Sequence, residues 1–198
     1  MTNYSIDKNQ LNDTILSAIE NKKVLYIKNF IDEFLSWNDF ISIINYQYHN
    51  SEANPSPDKV INKALNKPTK ISKYTEFHYH LLELTSTVNP TLKIESDFPQ
   101  IKEFMDYIRE SIKTRATLKA LVNIVGNEFS GNTHHDPYHV FSVQHVGTVE
   151  YNIFDSEDNQ TTYTLEPGDL IFMPSGTVHA ISAPTSRGTL ILDIDQYM

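Results

Sequence analysis

Two histidines and one aspartate carry the most specific chemistry in this sequence. The segment Thr133-His134-His135-Asp136-Pro137-Tyr138-His139 leads into a run of β-branched and aromatic residues at 140–149. In extended chain, residues two apart face the same way. His134 and Asp136 can therefore converge on one ion while His135 points elsewhere. A third ligand from another strand would complete a two-histidine, one-carboxylate triad, which leaves coordination positions open for substrate and oxygen. Standing alone, a histidine-rich turn is more often a solvated loop.

It does not stand alone. The stretch Gly168-Asp169-Leu170-Ile171-Phe172-Met173-Pro174-Ser175-Gly176-Thr177-Val178-His179 breaks a strand with glycine and proline and delivers His179 after a tight turn. A Gly, Pro, Gly, His pattern at this spacing arises by chance in roughly one chain of this length in a thousand.

The elements that must position these groups are legible from periodicity. Leu11, Ile15, Leu16 and Ile19 repeat at helical spacing over 9–20, followed by a short strand-like run at 24–27. Asp32 and Glu33 precede Phe34, Leu35, Phe40, Ile41 and Ile44, which predicts a second helix entered at the acidic pair. Residues 51–75 carry Pro55, Pro57 and Pro68 and read as a long loop of the kind that forms lids. A strand at 75–84 and a third helix over 101–112 follow.

Beyond residue 115 the pattern changes to short β-rich runs at 118–125, 140–149, 151–154, 161–165, 170–173 and 189–194, separated by Gly, Pro, Asn and Asp. So many short strands predict an antiparallel barrel or jelly roll. The expected architecture is mainly β, one domain over 1–198, with 1–115 as a mixed helical support and 116–198 as the barrel core.

The chain contains no cysteine, so disulfides, thiolate metal sites and cysteine nucleophiles are excluded and any metal is held by nitrogen and oxygen. The net charge of −9 is concentrated in the barrel half, where three Lys or Arg from Arg115 onward face ten Asp or Glu. Such a surface repels phosphate backbones and disfavours nucleic acid. A peptide or small molecule is the expected partner, monomer and helix-mediated homodimer both stay open, and with no apolar stretch near ~20 residues a cytoplasmic location is expected.

The second motif resembles that of the cupin superfamily, Gly-x5-Pro-x-Gly-x2-His-x3-Asn, with Ala183 in place of the final Asn. The first motif, with Gln144 and Gly147, is similar to the His-x-Asp segment of JmjC-type and related cupin-like oxygenases. That resemblance spans about 122–194 and implies a double-stranded β-helix in which His134, Asp136 and His179 bind Fe(II), with 2-oxoglutarate as cosubstrate in a hydroxylation.

The distal carboxylate of the cosubstrate then needs a buried cation or hydrogen-bond donor. The relatives usually place a lysine or arginine where this chain has Val149. Arg187 is the first candidate in its place, although its setting in Ala183-Pro184-Thr185-Ser186-Arg187-Gly188 also reads as a solvated hairpin turn. Lys119, Asn123, Thr133 and Tyr151 are further candidates. His135, His139 and His145 stand as neighbouring hydrogen-bonding groups, with His139 or His145 as alternative ligands, and His78 and His80 share a strand face without an evident third ligand. A cosubstrate-free metal-dependent cupin enzyme and a non-catalytic ligand-binding cupin are the competing functions.

Overall fold

A computed structural model describes residues 2–49, 92–95, 101–113, 116–123, 127–130 and 132–194. The loop expected at 51–75, the strand at 75–84, and His78 and His80 lie outside the described residues.

Helix α1 (Lys8–Glu20) is capped by Asp7, whose carboxylate accepts from the Asn9 and Gln10 amides, and it buries Leu11, Ile15 and Ala18. Strand β1 (Leu25–Ile27) follows. Helix α2 (Trp37–His49) begins five residues after Asp32 rather than at it. The true start is a capping box: Ser36 Oγ accepts from the Asp39 amide at 3.4 Å and the Asp39 carboxylate accepts from the Ser36 amide at 2.7 Å. Asp32 is instead tied to Asn3, whose backbone and side-chain amides both donate to its carboxylate. Helix α3 (Lys102–Ile112) turns Phe104, Met105, Ile108 and Ile112 inward and ends at Lys113 in the left-handed conformation.

Two antiparallel sheets form the rest. Strands β2 (Leu92–Glu95), β3 (Ala116–Asn123), β4 (Asn127–Ser130), β5 (His139–Val146), β6 (Val149–Phe154), β7 (Gln160–Leu165), β8 (Leu170–Met173), β9 (Val178–Ala183) and β10 (Arg187–Ile194) assemble as β1-β8-β5-β10-β3-β2 and β4-β9-β6-β7. Within this order β3, β10, β5 and β8 interlock with β4, β9, β6 and β7 as the two halves of a double-stranded β-helix, and β1 and β2 extend one sheet at its edges. Both of those edge strands come from the part of the chain expected only to support the barrel.

Alternation along the strands separates two cores. Leu118, Ala120, Val122, Phe141, Val143, Leu190 and Leu192 face the helices and pack with Leu11, Ile15, Phe40 and Ile108. The alternate residues Val140, Ile171, Met173 and Ile191 face the second sheet and pack with its Val149 and Tyr151.

Strands β2, β4 and β9 were not evident from periodicity. β9 carries Val-His-Ala-Ile-Ser-Ala, where the histidine and small residues mask the usual β signature.

Candidate metal centre

His134, Asp136 and His179 come together, each offering one ligand atom, and these atoms all lie within 4.8 Å of one another. Their placement does not depend on one regular strand. His134 sits in an isolated two-way bridge with His179, each amide donating to the other's carbonyl at 2.9 and 2.8 Å. Asp136 lies in the irregular segment before β5, where its carbonyl accepts from the Gly176 amide at 2.9 Å. The turn at Pro174–Thr177, closed by the Thr177 amide and hydroxyl on the Pro174 carbonyl, therefore fixes both halves of the triad.

Each histidine is oriented through its far nitrogen. His134 Nδ1 lies 2.8 Å from the Asn132 carbonyl and His179 Nδ1 lies 2.9 Å from the Thr177 carbonyl. A carbonyl can only accept, so Nδ1 carries the proton in both rings and Nε2 is left with its lone pair for a metal. His179 Nε2 is 3.7 Å from Asp136 Oδ2. Burial holds His179 below the usual imidazole value, with a carbonyl and Asp136 opposing that effect and His134 and His135 adding to it. Two imidazoles and a carboxylate are the donor set of a facial triad with open positions.

Other motif residues are structural. Gly168 has φ +96°, and a Cβ there would lie 2.8 Å from the Ile31 carbonyl. The fully buried Asp169 carboxylate accepts from Tyr26 Oη and from the Asn29 and Glu166 amides, pinning β1 to the barrel. His139 Nδ1 accepts from the Ser175 amide and supports the turn, and His145 Nδ1 accepts from the Leu35 amide. Neither belongs to the metal-ligating cluster, and His135 is exposed.

A cavity of about 140 Å³ opens at the triad and is walled by Lys119, Tyr138, Val140, Tyr151, Ile191 and Asp193, among others. Of the anchor candidates, Lys119 and Tyr151 line it, whereas Thr133 is exposed and off its wall. Lys119 is ion-paired with Asp193 and sits 4.9 Å over the Tyr138 ring. Val149 is fully buried inside the barrel and offers no polar group.

Arg187 is not in a solvated turn. It opens β10, is 4% exposed, and pairs with Asn123 across β3. Its Nε donates to Asn123 Oδ1 at 2.7 Å, while its Nη1 is buried with no hydrogen-bond partner. On β10 it shares a face with the cavity residues Ile191 and Asp193, and on β3 Asn123 shares a face with Lys119 and Leu121, so both lie deeper along the same interior. Tyr151 bridges the two levels. Burial raises its phenol, with the Arg187 charge pulling it down and the Asp136 charge pushing it up, and its hydroxyl lies 2.5 Å from Ser142 Oγ.

No protein-family model and no curated protein matches the chain. Among solved structures, the chain is similar over its whole length to Escherichia coli ycfD, with 13% identity, a TM-score of 0.64 and 55% of that chain covered. A second structure, of the Escherichia coli ribosomal oxygenase YcfD in complex with cobalt and 2-oxoglutarate, matches at 15% identity and a TM-score of 0.55 over 100% of this chain and 54% of that one. The chain thus spans little more than half the length of this relative. A cupin superfamily protein from Desulfitobacterium hafniense matches at 13% identity over 55% of this chain and 80% of that one, at a TM-score of 0.40. Strand order and the two likenesses to YcfD agree that the chain has a double-stranded β-helix fold.

Proposed function

We propose that this protein is an Fe(II)- and 2-oxoglutarate-dependent oxygenase that hydroxylates a peptide side chain or a small metabolite. The observation that carries the reading is the pairing of a three-ligand N,N,O cluster with a buried guanidinium that has an unpartnered Nη1 deeper in the same barrel. A buried charge without an anionic partner costs several kcal/mol, and the distal carboxylate of 2-oxoglutarate would offset that cost.

Iron with 2-oxoglutarate would supply oxidative decarboxylation of the cosubstrate coupled to insertion of one oxygen atom into a C–H bond. The residues of this chain bind and orient. His134, Asp136 and His179 would hold the metal on one side, leaving the cavity face open. The Tyr151 hydroxyl, kept protonated by burial, would donate to the distal carboxylate, with Arg187 behind it neutralising the charge. Lys119 is already engaged by Asp193, so it competes poorly for that role. Val140, Ile181 and Ile191 keep the chamber dry. At about 140 Å³ the chamber is below the ~300–1,000 Å³ of ordinary ligand pockets, so a substrate would insert one group and leave its remainder at the mouth.

A second reading, a metal-dependent cupin enzyme that binds its substrate directly and uses no cosubstrate, is favoured by the apolar Val149 where relatives carry a cation. The discriminating experiment is aerobic incubation with Fe(II) and 2-oxoglutarate, following succinate. Succinate that disappears in His134→Ala and His179→Ala supports the oxygenase. Metal binding without succinate, with or without candidate substrates, favours the second reading.

A further inference from the structure

Gln144, on β5, is completely buried, and each of its hydrogen-bonding groups is used. Its side-chain nitrogen donates to the Val146 carbonyl at 2.6 Å and to the Gly147 carbonyl at 2.9 Å. Its side-chain oxygen accepts from the Thr189 hydroxyl at 2.7 Å. The opposite amide orientation would set an oxygen against two carbonyls, so the chemistry fixes this one. The backbone amide donates to the Asp169 carbonyl at 3.0 Å, and the carbonyl accepts from the Gly168 amide at 2.9 Å.

A buried carboxamide costs desolvation that an apolar side chain would avoid, and its partners show what it holds. They bracket Arg187. Thr189 lies two residues on in β10, on the same interior face as Arg187. Gly147 packs so closely on Ser186, the residue before Arg187, that a Cβ there would lie 1.9 Å from the Ser186 carbonyl. The Thr148 amide also donates to the Thr185 hydroxyl at 2.7 Å. Between these two contacts the pairing of β5 with β10 slips: Gly188 faces Val146 and Thr189 faces Gln144, which leaves His145 as an extra residue. The Gln144 side chain spans that bulge.

We propose that Gln144 is the positioning residue for the Arg187 guanidinium. By tying the turn at Gly147 to Thr189 it fixes the short stretch of main chain from which Arg187, held on Asn123 at 2.7 Å, meets the distal carboxylate of 2-oxoglutarate. That last role rests on the oxygenase reading of the metal centre. A long side chain receives an anion well only when its base is held to within about 0.5 Å by neighbouring packing and hydrogen bonds. None of the hydrogen-bond partners of Gln144 is a triad residue, so its effect reaches the cosubstrate and not the metal.

Anaerobic calorimetry of the full, Fe(II)-loaded chain with 2-oxoglutarate tests this. Gln144→Met is expected to weaken binding about tenfold and Thr189→Val about threefold, whereas Thr189→Ser, which keeps the hydroxyl, stays within about twofold of the wild type. Thr189→Val carries the test should Gln144→Met not fold. In an Arg187→Met background Gln144→Met and Thr189→Val are expected to add less than about twofold, because residues acting through one group are not additive. Fe(II) affinity is expected to be unchanged throughout. In metal-free protein without cosubstrate, the Arg187 Nε–H resonance, read by nitrogen-15 NMR, moves in Gln144→Met and Thr189→Val and stays in place in Thr189→Ser. Undiminished binding in Gln144→Met and Thr189→Val, the full loss repeated in the Arg187→Met background, a parallel loss of Fe(II) affinity, or an unmoved Arg187 resonance would each overturn the positioning role. A wild type that binds Fe(II) but no 2-oxoglutarate would instead sink the oxygenase reading, and the Arg187 resonance then decides by itself whether Gln144 positions the guanidinium.

Discussion

Arg187 and Asn123 face each other across β10 and β3, with Arg187 Nε donating to Asn123 Oδ1 at 2.7 Å. Among the described residues no carboxylate pairs with this buried cation, which bears directly on stability. Replacing Arg187 by methionine keeps most of the packing and removes a desolvated charge. The Arg187→Met protein is therefore expected to unfold at a denaturant concentration equal to or above that of the wild type. A loss of more than about 2 kcal/mol would show that the guanidinium is already well satisfied.

His145 gives the pH dependence. Its folded pKa is near 3 against about 6.5 for a free imidazole, so the folded value is depressed. Its contribution to stability is then complete above about 6.5 and is lost as pH falls through the window down to about 3, because only the unfolded chain takes up the proton there. The full difference is on the order of a few kcal/mol. Urea midpoints measured at pH 7.5 and 5 should fall more steeply for the wild type than for His145→Leu. Parallel slopes would contradict the burial.

Gly147 joins β5 to β6 with φ +69°, and a Cβ there would lie 1.9 Å from the Ser186 carbonyl, in the turn that leads into Arg187. Backbone strain and overlap with main chain both oppose substitution. Gly147→Ala is expected to cost at least about 2 kcal/mol, read as a shift of the denaturation midpoint at unchanged slope. Gly176→Ala, with φ +83° but open space at its Cβ, should cost less, near 1 kcal/mol.

Ser36 caps α2 through the box with Asp39. Ser36→Ala is expected to cost about 1 kcal/mol, and Asp32→Ala, at the position where helical periodicity places the start, should leave α2 intact. Amide exchange in the first turn of α2 distinguishes the two.

The clustering of the three candidate ligands was legible because their spacing, two apart on one segment and behind a Gly-Pro-Gly turn on another, is chemically specific whatever surrounds it. The barrel class was legible from many short strands with turn residues between them. What the sequence hid has physical causes. The start of α2 was masked because Phe34 and Leu35 continue the helical repeat, although Phe34 is half-exposed and the Ser36–Asp39 box decides the boundary. His134 and Asp136 lie in an irregular bridge and loop rather than a strand, since the pairing partner is the backbone of His179. The burial of Arg187 was invisible because turn-forming neighbours describe the local chain, whereas its pairing with Asn123 depends on residues 64 positions away.

In the proposed function a metal at His134, Asp136 and His179 and the Tyr151 hydroxyl backed by the Arg187 guanidinium would hold the two ends of one 2-oxoglutarate. Anaerobic calorimetry of 2-oxoglutarate binding to Fe(II)-loaded protein measures this without a known substrate. Saturable one-to-one binding is expected that is absent in metal-free protein and in His179→Ala, and is weakened at least about tenfold in Arg187→Met by the loss of the neutralising charge behind Tyr151. Binding of equal strength without metal, or in Arg187→Met, would contradict it.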